Sequence, residues 1–295
     1  MAKNQVGRTF RYWYEALYQG SSDFLTPAVR SLGDIIDDIH ESRDNSELLP
    51  LPVWEEAVSA GFVPDRNGYL SLLRDVAIGL TIRDLEKRCD KDEAALIHLI
   101  RILDEIDQSI SRLSEKIEDY YIALHPAGLS GYERNISSLI ESLAKDQTHP
   151  ISHLARNIQR VRESRTLISQ NVRDYATKCL PNMSALCGPL VSARLLAGAG
   201  SKHHLAGMPA ASFQVLGAGP SLFMHLTSGT NPPKHGIIYQ YKGVHHAKRR
   251  VRGRVSRVLA CQLAIAARID YFRGVPDDEF IRKAGEKIYR AGKPE

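Results

Sequence analysis

No aspartate or glutamate occurs between Tyr175 and Ile269. Those 95 residues hold twelve lysines and arginines: Lys178, Arg194, Lys202, Lys234, Lys242, Lys248, Arg249, Arg250, Arg252, Arg254, Arg257 and Arg268. The other 27 of the 39 basic residues share the rest of the chain with all 34 acidic ones, so a net charge of +5 conceals a strongly basic region beside an acidic one. A segment without carboxylates supplies no acid/base pair and no carboxylate ligand for a metal. His203–His204 and His245–His246 therefore carry no metal expectation. The four cysteines, Cys89, Cys179, Cys187 and Cys261, form no CxxC pair and read as reduced, semi-buried packing thiols of a cytoplasmic protein. No apolar run reaches the ~18 residues of a membrane span. The opening MAKNQVGRTFRYW lacks the apolar stretch of about 7–15 residues that a secretory signal has, so none is expected.

Nucleotide and hydrolase motifs are missing too. There is no Walker-type phosphate loop, no His-Glu-x-x-His and no Gly-x-Ser-x-Gly elbow. AGAGSKHH and LGAGPSLF each contain Gly-x-Gly, but His203 and Leu222 stand where a dinucleotide fingerprint needs its third glycine, so both read as helix-breaking turns. No cofactor and no catalytic residue is expected.

What the chain does have, at 43% hydrophobic residues, is helical patterning. After an aromatic opening (Phe10, Tyr12, Trp13, Tyr14, Tyr18), helical segments are predicted near 24–40, 53–61 and 69–88, with ELLPLPVW separating the first two. In 69–88, Leu70, Leu73, Val76, Leu80 and Leu85 suit one face. Leu96, Leu99, Leu103, Ile106, Ile110, Leu113, Ile117, Tyr120 and Leu124 then step by three and four, as do Ile151, Leu154, Ile158, Val161, Arg165, Ile168, Val172, Tyr175 and Cys179. Both are heptad seams, each about 43 Å long at ~1.5 Å per residue. Equal lengths and a short connection predict an antiparallel coiled-coil hairpin, two ordinary core helices being the alternative. The connection starts at HPAGLSG and holds a shorter helix lined by Ile136, Leu139, Ile140 and Leu143. Past CLPNMSALCGP come short helices with Gly and Pro punctuation, then a long helix, RGRVSRVLACQLAIAARIDYF, whose Val255, Leu259, Leu263 and Ile265 suit a core. The fold class is mainly α, with a small N-terminal domain of α or α/β character (1–90), the hairpin (91–182) and an all-helical domain (183–295).

Asn231 to Ala260 carries eight of the basic residues and no acid. Arginine forks match phosphate oxygens, so Lys248, Arg249, Arg250, Arg252, Arg254 and Arg257 form a candidate polyanion surface. The stiff PPKHG turn holds Lys234 and His235 at a fixed point. Tyr239 and Tyr241 either stack on a base or pack inward. A lone arginine here would be a solvated charge; eight cations without one acid repel each other and call for a counter-charge.

PNMSALCGPLVSARLLAGAGS, MPAASFQVLGA, LFMHL, PPKHGIIYQY and RGRVSRVLACQLAIAARIDYF, in order from Pro181 to Gly274, resemble the Nop domain of box C/D ribonucleoprotein core proteins. RILDEIDQSISRLSEKIEDYYIALHP resembles that family's coiled coil. The resemblance implies a non-catalytic scaffold. Its N-terminal domain would bind a fibrillarin-like methyltransferase, and its coiled coil would pair two copies. Its Nop domain would grip a kink-turn guide RNA together with a ribosomal-type kink-turn-binding protein. It implies RNA contacts at Lys234, His235, Tyr239, Gln240 and the basic cluster, and partner contacts at Gly217, Leu222, Phe223 and His225. The chain departs from the family's GAEK…ALFR pattern: Gly219 and Pro220 replace an acid and a lysine, Met224 an arginine, and Gln262 stands where lysine is usual. Its hairpin also looks shorter than usual. The other reading is a helical protein-interaction adaptor with only non-specific nucleic-acid affinity.

Overall fold

The computed structural model describes residues 54–59, 63–88, 90–124 and 135–293, and outside these only 2–3, 9–10, 33 and 36. The expected 24–40 helix, most of the aromatic opening, and the ELLPLPVW and HPAGLSG segments lie almost wholly outside the described residues. The chain forms two compact units, Met1–Asp90 and Lys91–Glu295.

In the first unit, strands β1 (Ala2–Lys3) and β2 (Thr9–Phe10) pair antiparallel, Ala2 opposite Phe10. Helices α1 (Trp54–Ser59) and α2 (Arg66–Arg88) pack through Ala57, Val63, Tyr69 and Val76. Asp65 starts α2, its Oδ1 accepting from the Gly68 amide at 2.7 Å. Of the face expected on α2, Leu73, Val76 and Leu80 turn inward, whereas Leu70 and Leu85 are exposed with Ile78 and Ile82.

The second unit opens with α3 (Lys91–Leu124), which runs antiparallel to α5 (Ser152–Cys179). Asp92 meets Lys178 at 2.6 Å and Asp107 meets Arg165 at 2.8 Å, so partner numbers fall as α3 numbers rise. The seams differ from expectation in phase. Leu96, Leu103, Ile110, Ile117, Ile158, Arg165, Val172 and Cys179 keep their inward places. The alternate places go to Ile100, Asp107, Ser114 and Tyr121 on α3 and to Ala155, Arg162, Ser169 and Ala176 on α5. Each lies one residue beyond the expected Leu99, Ile106, Leu113, Tyr120, Leu154, Val161, Ile168 and Tyr175. Small side chains at Ser114, Ala155, Ser169 and Ala176 let the backbones approach, and the bulkier set is displaced sideways. In an antiparallel pair the same offset on both helices puts the displaced residues on one face. Helix α4 (Ile136–Lys145) covers one end of it, packing Leu139, Ile140 and Leu143 against Ile117, Ala155 and Ile158, with Leu154 beside them. The C-terminal helices cover the other end, over Leu99, Ile168 and Tyr175. Leu113 and Val161, between the covers, stay 40% and 38% exposed.

Six further α-helices come next: α6 (Pro181–Cys187), α7 (Pro189–Ala199), α8 (Lys202–Gly207), α9 (Ala210–Val215), α10 (Gly219–Ser228) and α11 (Lys242–His245). Of these α6, α8, α9 and α11 pack against α12 (Arg252–Phe272), and α13 (Asp278–Gly292) closes the bundle. Val255, Leu259 and Leu263 of α12 are buried as expected; Ile265 is exposed and Ala266 and Ala267 take the inward places, where small residues admit α6, α8 and α9. Cys179 and Cys187 are buried and Cys261 is exposed, so none of these three is semi-buried.

Asp270, where acids resume, is buried. It accepts from the Asn182 amide (2.9 Å), Asn182 Nδ2 (2.7 Å) and the Met183 amide (3.0 Å). Asn182 in turn donates to the Val275 carbonyl at 2.9 Å and accepts from the Asp277 amide at 2.7 Å. This node ties the start of α6 to the ends of α12 and of the following turn. The 182/183 position, a domain limit by sequence, lies inside α6 at this node.

Candidate nucleic-acid interface

Two glycine-bearing turns cross to frame the site. The Gly236 amide donates to the Gln214 carbonyl at 2.9 Å, and the Ile237 amide to the Leu216 carbonyl at 2.8 Å. Gln214 Nε2 reaches the Lys234 carbonyl at 2.9 Å. A Cβ on Gly236 would lie 1.9 Å from the Leu216 carbonyl oxygen, so only glycine fits there. Gly217, at φ 81°, would set a Cβ 2.5 Å from Ile237 Cγ1. The two Gly-x-Gly motifs are thus turns: Gly200 closes α7 in a left-handed conformation, and Gly217 makes this crossing.

Beyond the crossing, rings and cations gather. His235 stacks on Tyr239, centroids 4.4 Å apart and planes at 16°. The Arg252 guanidinium lies 5.3 Å from the Tyr239 centroid, and His245 meets Tyr239 at a steep angle, centroids 5.1 Å apart. His246 follows His245 at 5.1 Å. Arg252 Nη2 also donates to the carbonyls of His245 and Ala247, both at 3.2 Å. Tyr239 is therefore packed among protein groups, and the more open rings are His245 and His246. Burial, then the charges of Arg252 and Lys234, hold the His235 imidazole below its ordinary pKa.

The basic residues divide into two groups. Arg254 closes the end of α13: its Nε donates to the Ala291 carbonyl at 3.0 Å and its Nη2 to that of Lys293 at 2.6 Å. Arg194 grips Asp104 (Nε–Oδ1 2.8 Å) and donates from Nη1 to Gln240 Oε1 at 2.8 Å, so that side chain is engaged within the fold. Lys202 approaches Glu93 at 3.9 Å. Lys234, Lys242, Lys248, Arg249, Arg250, Arg257 and Arg268 are exposed and make no ion pair among the described residues. Sequence reasoning gave no weight to Arg194, whose acid lies 90 residues away, or to Gln214. It left the His245–His246 pair out of the site, although both rings continue the cluster.

Helix α10 leads out of the same crossing. None of its residues is buried: Leu222 and His225 are half-buried, and Phe223, Met224 and Leu226 are exposed. His225 Nδ1 hydrogen-bonds the Thr230 carbonyl across the helix end. Gly219 and Pro220 occupy its first two positions, so the helix carries no lysine, arginine or acid. The structure thus brings Lys234, His235, Tyr239 and Arg252 together and joins them by the crossing to Gly217, which leads into α10, whereas Gln240 turns to Arg194. Arg254 is drawn away to α13, and Arg257 lies along α12.

Comparison with known proteins agrees with this architecture. Residues 99–291 match a family model described as Nop, snoRNA binding domain, fibrillarin. A NOP5 family protein of Methanocaldococcus jannaschii is 28% identical over 279 residues, covering 82% of this chain and 67% of that protein. Nucleolar protein 56 of Caenorhabditis elegans is 37% identical over 139 residues, 46% of this chain and 29% of its own length. Nucleolar protein 58 of Schizosaccharomyces pombe is 35% identical over 133 residues, 45% and 26% respectively. The chain thus matches about two-thirds of the first relative and under a third of the nucleolar ones. A crystal structure of a fibrillarin/Nop5p complex contains a chain that superimposes with a TM-score of 0.51 at 26% identity, covering 96% of this chain and 99% of that one.

Proposed function

The chain belongs to the Nop family, and on that premise we propose that it is the RNA-binding scaffold of a box C/D-type ribonucleoprotein. In this reading the 183–295 region holds a kink-turn guide RNA together with its kink-turn-binding protein. The 1–90 region docks a fibrillarin-like methyltransferase, which supplies the chemistry of ribose 2′-O-methylation. The 91–182 hairpin joins them and offers a surface for a second copy.

The observation that carries the reading is the division of the basic residues. Those the fold needs are satisfied by carbonyls or by acids of α3, and seven more are left exposed. Uncompensated cations beside histidine rings suit phosphate and base together. The fibrillarin part is supported by the solved relative, which was crystallised as a fibrillarin complex, and by the exposed apolar residues Leu70, Ile78, Ile82 and Leu85 on α2. The same apolar residues favour the second reading, a protein adaptor with only non-specific nucleic-acid affinity.

The test is binding of the full chain to a kink-turn RNA, with and without the kink-turn protein, over a range of salt. A ternary complex whose affinity falls steeply with salt is expected. Absence of any such complex, with methyltransferase binding intact, selects the adaptor.

A further inference from the structure

The outward face of α12 extends well beyond the site above. Arg257, Cys261, Ile265, Arg268 and Phe272 follow one another at helical steps of three or four and are all exposed, so they form one stripe. It is roughly 22 Å long at ~1.5 Å per residue. The stripe starts seven residues after Arg250 and contains no acid. Arg257 and Arg268 have no ion-pair partner among the described residues.

Its far end is rich in rings and apolar groups. Phe272 is 78% exposed, Val275 58%, Ile265 42% and Tyr271 41%. The Tyr271 ring lies 5.0 Å from that of Phe272 and 5.7 Å from that of the exposed His203. Scattered surface hydrophobes need no explanation; four large ones within ten or so residues, backed by a ring contact, mark an interaction surface. The nearby acids are largely occupied. Asp270 is buried in its node, Asp277 pairs with Arg273 and Glu279 with Lys283, leaving Asp278 at the far rim. Arg268 and Phe272 stand four residues apart on the same face, which sets a cation beside a ring. Cations that follow a backbone, next to rings that take bases, are how single-stranded nucleic acid is held.

We propose that this end of α12 is a second RNA subsite, which takes a single-stranded segment. Arg257 and Arg268 hold its phosphates, and Phe272, flanked by Tyr271 and His203, stacks a base. The proposal rests on the RNA-binding reading but not on the kink-turn. The charge of the stripe favours a polyanion over a protein surface.

The test uses the full chain and two probes: a labelled oligouridine of about ten nucleotides, within the span such sites cover, and a kink-turn duplex with its kink-turn protein. Phe272→Ala and Arg268→Gln each change an exposed side chain, so their melting curves should match the parent's. Each should weaken oligouridine binding about tenfold and leave kink-turn binding unchanged. The subsite is overturned if the parent does not bind oligouridine or if both variants bind it as the parent does. It is equally overturned if Phe272→Ala releases the methyltransferase while RNA binding stays intact. Loss of kink-turn binding alone, with Phe272-dependent oligouridine binding kept, overturns the proposed function and leaves the subsite standing.

Discussion

The α3–α5 pair and the helices after Leu180 handle charge in opposite ways. Along the pair's interface, cations meet acids across it, Arg165 with Asp107 and Lys178 with Asp92. The later helices have no acid of their own before Asp270. There Arg194 and Lys202 borrow Asp104 and Glu93 from α3, Arg252 and Arg254 turn to backbone carbonyls, and the remainder stay in solvent. Charge that serves folding is compensated somewhere in the molecule, even where the local sequence offers nothing. Uncompensated charge is then a sign of something outside it.

The change expected to break this contrast hardest is at Asp270. Asp270→Ala leaves three N–H groups of the node without their acceptor and should cost about 3 kcal/mol, read from chemical denaturation. A change below about 1 kcal/mol would mean that water replaces the carboxylate at little cost. Next comes the seam. Ala155→Leu forces bulk between α3 and α5 and should cost about 2 kcal/mol. Leu113→Ser, on the displaced face, should stay within about 0.5 kcal/mol. If the two effects came out reversed, the expected heptad phase would be the correct one.

A third experiment separates the two kinds of cation. Replacing Lys248, Arg249 and Arg250 together by Ala should reduce the slope of log affinity against log salt by roughly 2 to 3, with an unchanged melting curve. Arg254→Ala should do the reverse: about 1 kcal/mol of stability lost with its carbonyl bonds and the slope preserved. The smallest effect concerns His235. Its folded pKa lies below the unfolded value, so the unfolded chain takes up the proton first as pH falls. Stability is then fully present above the unfolded pKa, about 6.5, and declines as pH falls from there towards the folded value. His235→Gln should flatten that part of the melting temperature–pH curve; an unaltered slope would place the titration on another group.

Much of this was legible in the sequence. The hairpin, its direction and the helical C-terminal region follow from periodicity, and the family follows from its motifs. The seam's phase did not, because periodicity weighs large apolar residues, whereas Ser114, Ala155, Ser169 and Ala176 are buried for being small. Ile265 fails for the same reason, its place going to Ala266 and Ala267. At the site, the number of cations was legible but not their fate. Arg254 differs from Arg257 only through two carbonyls 37 and 39 residues further on, which no local pattern announces. Tyr239 was open between two readings; its ring is half-buried against the core, with His235 and the Arg252 guanidinium upon it.

The crossing of Gly217 and Gly236 has a consequence for binding cost. The turn bearing Lys234 and His235 and the Gln214–Gly217 stretch that leads into α10 are held by shared amide bonds, with no room for a side chain between them. Ordering one therefore orders the other. A ligand that settles on α10 meets a Lys234–His235 turn already in place, and one that settles on that turn finds α10 equally prepared. Ligands on either side of the crossing are thus spared the cost of ordering it, and Gly236→Ala, by prising the backbones apart, should weaken both.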